Sequence, residues 1–500
     1  MSTAEVLSAT NREPITHQQE VRTYWTPALH LALVAQAERV VGMGVALASR
    51  WFLGPSDLGV YSGLRLLLDN TNRSSLGVAL GAIQRSIALK ARRQDTESNR
   101  VLAVAATTNT LTSSIYGAAI ASWGIVALLA SGELRWGIGL TLVGFLAVVK
   151  RQQDFQVAVL RSISDFSAVG QINLIRNLAF GLTATAGILA FGFWGLVGAL
   201  GLSFLVERRL LNRTDRCLRF PIVWDWRASL ALAVTGLPIL AANSAWACVT
   251  TLDRALILSN LTDGSRMAGY YSIAVLGSGI LEDFASRVAL VISTGYRSEF
   301  GRDGSVESIL AQAETTGLAI LGLLAPAGFV LAVLGTWALP RVFPNLAPGA
   351  EALTPMIPGT IALCAAMPLR EAWISTERPW IPTTLAGLGA LLIFLRVSTL
   401  GTNGTIVNVA FESSLCRGAT FLAMFALPAV LLKWNRARLG RWAATSMWTS
   451  AWFYAFVTFG NDERDSASID GLVLAAIPAI AIAWYFITGR IFRIRTEGAA

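Results

Sequence analysis

Arg65, Asp69, Asn72 and Arg73 interrupt a run that is otherwise mostly Leu, Val, Ala and Gly. They fall at i, i+4, i+7 and i+8, which places them on one face if the run is a single helix. A guanidinium is planar, permanently charged and able to hold two oxygens at once. Two arginines on one such face therefore suit a phosphate or another anion. At 1.5 Å per residue, Arg65 and Arg73 would lie roughly 12 Å apart along the axis. That is too far for one phosphate, and suits a diphosphate handed between positions or a phosphate plus an acidic sugar. The competing reading is structural: Arg65 and Asp69 pair and lock two helices, which leaves Arg73 with no partner on its own helix.

Similar interruptions recur along the chain. Lys150, Arg151 and Asp154 share one apolar run, and Arg176 with Asn177 lies in the next. Later runs carry Asp253-Arg254, then Glu282, Asp283 and Arg287, then Arg370-Glu371, then Glu412 and Arg417. Charge in hydrocarbon is costly and normally faces a protein interior or a water-filled cavity. Arg65, Arg73, Arg151 and Arg176 are therefore the expected contacts for an anionic head group. Asp69, Asp253, Arg254, Glu282, Asp283 and Glu412 are the expected cavity or coupling residues, with Asp253, Glu282, Asp283 and Glu412 binding a proton or cation. Arg370 and Glu371 stand near a span end, where long side chains can snorkel. Counting Glu38 and Arg39, the first half holds six basic against three acidic intramembrane residues, and the second four against five. A cavity between the halves would have one strongly cationic wall, which favours an anionic substrate.

The elements that must carry these residues are membrane-spanning helices. The chain has 500 residues, of which 54% are hydrophobic and 14% charged. Soluble domains carry about 25% charged residues. Apolar runs long enough for a hydrocarbon core of about 30 Å recur throughout. Their approximate limits are 28–53, 57–84, 101–130, 136–160, 167–191, 194–211, 229–258, 267–293, 309–335, 351–375, 380–398, 405–432, 442–459 and 469–488. The fold class expected is thus all-α and integral to the membrane, with about fourteen spans. Arg and Lys crowd alternate loops, including 85–100, 208–219, 297–302 and 433–441, while the intervening loops are poor in them. By the positive-inside rule both termini are cytoplasmic, and the polar stretch 1–27 is an N-terminal tail with no signal-peptide core.

Three landmarks occur twice in the same order. Glu38-Arg39 matches Asp253-Arg254, Tyr61-Ser62 matches Tyr271-Ser272, and the basic segment at Arg85 matches that at Arg297. The offsets are 215, 210 and 212 residues. This spacing predicts a duplication: two parallel six-helix repeats around a central cavity, followed by two C-terminal helices. The expected lobes are 28–227 and 228–437, with an accessory helix pair and basic tail at 438–500.

No P-loop, GxSxG or HExxH motif is present, and Cys217, Cys248, Cys364 and Cys416 form no CxxC. With only His17 and His30, no metal, cofactor or disulfide is expected. The net charge of +9 belongs to cytoplasmic loops rather than to a nucleic-acid interface.

The turn Phe52-Leu53-Gly54-Pro55 with Leu58-Gly59-Val60-Tyr61, and its counterpart Asp253-Arg254 with Gly269-Tyr270-Tyr271-Ser272-Ile273, carry a resemblance. The chain resembles Wzx-type polysaccharide and O-antigen flippases of the multidrug/oligosaccharidyl-lipid/polysaccharide (MOP) exporter superfamily. The likeness covers about 28–490. It implies a non-enzymatic transporter in the bacterial inner membrane that moves a polyprenyl-diphosphate-linked glycan across the bilayer. Its partners would be that lipid-linked glycan, the bilayer and other polysaccharide assembly proteins. The superfamily also contains cation-coupled drug antiporters, whose cavities would be acidic and aromatic. A membrane glycosyltransferase or glycan polymerase is disfavoured by the short outer loops and the absence of acid/base motifs.

Overall fold

The computed structural model describes residues 38, 41–91, 94–162, 166–213, 220–303 and 305–431, and every regular element among them is helical. An all-α membrane fold is thus observed. The expected spans 442–459 and 469–488 lie outside the described residues, as do residues 28–37, 39 and 40 of the first expected span. The helices are α1 (41–52), α2 (Pro55–Asp69), α3 (Val78–Ala91), α4 (Asp95–Ser131), α5 (Leu134–Ser162), α6 (Phe166–Phe191) and α7 (Phe193–Arg213). They continue as α8 (Trp226–Asn260), α9 (Gly264–Asp303), α10 (Val306–Val342), α11 (Ala347–Glu351), α12 (Leu353–Ser375), α13 (Trp380–Ser398) and α14 (Ile406–Leu431).

Five of them, α4, α6, α8, α10 and α13, are long and apolar enough to cross a membrane. Pro344–Glu351 and α12, bent by 55° where they meet, make a sixth if the pair is counted as one span. The intervening α5, α7, α9 and α14 hold many of the intramembrane charges noted above. Local chemistry sets several ends. Pro55 opens α2, where its missing N–H costs nothing. Gly132 closes α4 at φ 67°, its N–H bonded to the Leu128 carbonyl at 3.1 Å.

The chain forms two compact units. One holds residues up to Phe52 together with Val78–Ala233; the other holds Leu53–Gly77 and the chain from Val234. In the first, α4 runs along α5 and α6 along α7, around a core that includes Phe155, Leu160 and Leu211. In the second, α12 packs against α9, α10 and α14, and α2 lies along α9. Trp373, Tyr271 and Leu363 are fully enclosed there.

Residues 53–77, placed by sequence within the first lobe, therefore pack in the second unit. They also correct the expectation of one helix over 57–84. After Asp69 the chain tightens into a 3₁₀ turn, Asn70–Ser75, and resumes as α3 only at Val78. The cause is local. Asn70, Thr71, Ser74 and Ser75 each bond a carbonyl three or four residues back, at 2.7 to 3.1 Å. Small polar side chains of this kind compete with the helical ladder. Leu76 at φ 49° and Gly77 at φ 84° then turn the chain out of the helix. Gly77 lies so close to Gly236 and Leu237 of α8 that a Cβ there would overlap their backbone. The chain passes between the units right after Gly77, and again after Ala233, just ahead of Gly236 and Pro238.

Candidate functional site

The break at 70–77 divides the residues expected to share one helical face. Arg65 and Asp69 stay together on α2 as an i,i+4 pair at 3.6 Å, with their side chains 56% and 57% exposed. Leu64 and Leu68, each one residue earlier, are buried. Arg73 leaves that stripe and is half-buried; its Nη2 donates to the Ser244 carbonyl of α8 at 3.4 Å. The 12 Å axial spacing inferred from an unbroken helix accordingly does not apply.

One residue before Ser244, Asn243 accepts a hydrogen bond from Arg370 of α12. Arg370 also pairs with Glu371 at 3.0 Å and stacks over the Trp246 ring, 5.4 Å from its centroid. Its side chain is only 16% exposed. It is a held residue rather than a snorkelling one. Two arginines far apart in sequence thus converge on one turn of α8, residues 243–246, near the middle of that spanning helix. Sequence spacing carried no signal for this meeting.

Deeper in the same unit, Asp253 of α8 and Arg417 of α14 are both 0% exposed and pair at 2.9 Å. Tyr271 of α9 donates its hydroxyl to the same carboxylate at 2.7 Å. Arg417 also donates to the Val249 and Thr250 carbonyls at 3.2 Å each, while its Nη1 has no partner among the described residues. The two second-half landmarks, Asp253-Arg254 and the Tyr271 motif, therefore meet through one carboxylate. Arg254 donates its backbone N–H to Asp253 at 2.8 Å and reaches the Thr250 carbonyl at 3.4 Å. Glu412 is held by Arg396 through two bonds of 2.8 and 2.9 Å. Glu282 is half-buried and Asp283 exposed, and neither side chain has an ion pair or hydrogen bond among the described residues. Of the acids expected at the cavity, then, Asp69, Asp253 and Glu412 pair with an arginine, and Glu282 and Asp283 do not among the described residues.

In the first unit, Lys150 pairs with Asp154 at 3.0 Å, as its spacing predicts. Arg151 is buried, and Asn109 donates to its carbonyl at 3.4 Å. Arg176 pairs at 3.3 Å with Glu207 of α7, which is 2% exposed. Glu207 stands 31 residues from Arg176, and no local pattern joins them. Arg151 and Arg176 belong to this unit, while Arg65 and Arg73 belong to the other.

One further contact ties the repeated turns together. Gly59 of α2 packs against the Ser265 carbonyl of α9, and Gly269 of α9 packs against the Pro55 carbonyl of α2. Any Cβ at either glycine would overlap that carbonyl. Both glycines and both carbonyl residues are related by the same offset of 210. The contact is reciprocal, as a contact between two copies around a two-fold axis would be.

No family model and no curated protein matches the chain. Solved structures do. A lipid II flippase, MurJ, in an inward closed conformation aligns over 93% of this chain and 99% of its own, at 12% identity and a TM-score of 0.65. An outward-facing MATE family multidrug resistance transporter of the MOP superfamily aligns over 81% and 95%, at 14% identity and 0.59. A MOP superfamily transporter from Pyrococcus furiosus covers the same shares at 13% identity and 0.55. The chain has the MOP-superfamily fold, in accord with the Wzx-type resemblance.

Proposed function

We propose that this protein is a flippase. It moves a polyprenyl-diphosphate-linked oligo- or polysaccharide precursor across the bacterial inner membrane by alternating access, with both termini in the cytoplasm. The observation that carries this reading is the convergence of Arg73 and Arg370 on residues 243–246 of α8. Two guanidiniums held near the middle of a spanning helix suit a phosphate-bearing head group. Arg65 on α2, and Arg151 and Arg176 in the first unit, are proposed as further contacts. Several moderate contacts are better suited to release than one tight clamp. The reading requires no catalytic group, and the passenger leaves chemically unchanged.

The drug antiporter of the same fold needs free carboxylates for its cation. The pairing of Asp253 with Arg417 and of Glu412 with Arg396 weighs against it, and leaves Glu282 and Asp283 as the acids it would have to use.

The decisive assay uses proteoliposomes loaded with a fluorescent short-chain polyprenyl-diphosphate sugar. Dithionite quenching from outside should reach the inner-leaflet pool at a rate well above that of empty vesicles. Efflux of an organic cation with no movement of the lipid-linked sugar would reverse the assignment.

A further inference from the structure

Residues 220–227 lead into α8, and they are pinned to the first unit on one side only. The Phe220 ring meets Phe155 edge-on at 5.8 Å. The Val223 N–H donates to Thr107 at 3.0 Å. Asp225 caps α8 by accepting from the Ala228 N–H at 3.0 Å, and faces Arg100 at 3.5 Å. Ser229 and Thr108 share a bond of 2.7 Å. The alternate residues face outward. Ile222 is 90% exposed, Trp224 59% and Trp226 65%, and Leu230 continues the same apolar strip one turn up α8.

An apolar strip of this size in water would be costly. Here it begins at the end of a helix long enough to span the bilayer, so it stands at the depth where hydrocarbon gives way to head groups. Tryptophan favours that depth because its ring is apolar and its N–H polar. Among the described residues, Asp225 is partly buried against Arg100 and Glu207 is buried, and the exposed charges nearby in sequence are basic: Arg227, and Arg208, Arg209 and Arg213 at the end of α7. Arginines beside a membrane surface attract anionic lipid.

We infer that residues 222–227 form an interfacial seat on the leaflet they face. Ile222, Trp224 and Trp226 enter the boundary between head groups and acyl chains. Arg227, with Arg213, pairs with the phosphates of anionic phospholipid. The occupant is lipid rather than a soluble partner. The seat fixes the depth of the first turns of α8, just ahead of Gly236 and Pro238.

The test places a nitroxide at Ile222→Cys and, separately, at Trp224→Cys. Both are made in a full-length chain whose Cys217, Cys248, Cys364 and Cys416 are replaced by Ala, reconstituted in phosphatidylethanolamine–phosphatidylglycerol vesicles. Oxygen should relax both labels more than an aqueous nickel chelate does. Stronger relaxation by nickel at both sites would overturn the seat. In the native-cysteine protein, Arg213→Gln with Arg227→Gln should lower the phosphatidylglycerol retained on purification by about fivefold or more relative to phosphatidylethanolamine. An unchanged lipid ratio would overturn the head-group pairing.

Discussion

Arg65 reaches Asp69 one turn along α2, with more than half of each side chain exposed. Arg417 reaches Asp253 across 164 residues, with neither side chain exposed at all. The chemistry is the same, a guanidinium on a carboxylate, and the consequences differ. The first pair is local and open at the protein surface, so it fixes no fold and leaves Arg65 available to another anion. The second joins α8, α9 and α14 through Tyr271 and two backbone carbonyls. Its desolvation cost has already been met, so losing one partner strands a buried charge. Arg73 falls between these limits, half-buried and bonded through one long hydrogen bond to a carbonyl, with no carboxylate partner among the described residues.

This ordering can be broken experimentally, and the largest effect should come from the triad. Arg417→Met is expected to cost about 3–5 kcal/mol, because Asp253 keeps its charge and loses its counter-ion. The thermal midpoint in detergent should fall sharply, and Asp253→Asn added to Arg417→Met should recover much of it. An Arg417→Met protein as stable as the parent would mean that the pair does not hold these helices. The next effect is on transport alone. Arg73→Gln should abolish movement of the lipid-linked sugar with little change in melting, and Arg73→Lys should retain part of it, since charge remains but the fork is lost. Equal transport by the parent and an Arg65→Gln, Arg73→Gln double variant would move the site elsewhere. The smallest effect belongs to the exposed pair. Asp69→Asn should change stability by less than about 0.5 kcal/mol, the usual worth of an exposed i,i+4 pair. A larger loss would show that Asp69 has a structural partner besides Arg65.

Elements that repeat a local pattern were legible from the residues alone. The apolar runs located α4 through α10 and α12 through α14, and Lys150 with Asp154 pairs as an i,i+4 spacing demands. The break at 70–77 was legible in principle, because Asn-Thr-Asn-Arg-Ser-Ser-Leu-Gly is dense in residues that bond their own backbone and ends in a glycine. Its position inside an apolar span outweighed that signal. Glu207, Arg370 and Arg417 were not legible as partners. Their mates lie 31, 127 and 164 residues away, and only the packing of helices sets those distances. A count of intramembrane charges by halves shares that weakness, because residues 53–77 pack with the second unit.

The reciprocal glycine contact has a bearing on ancestry. A surface on which residue i meets j while j meets i is what two identical subunits present to each other. A half-length ancestor with a glycine at this turn could have paired with its own copy, one codon serving both sides of the junction. Under the duplication that the spacing predicts, the two codons would be free to drift once joined in tandem, and the carbonyls are carried here by Pro55 on one side and Ser265 on the other. Each glycine acts as a veto on the other's neighbourhood, since a side chain at either would wedge the same junction apart.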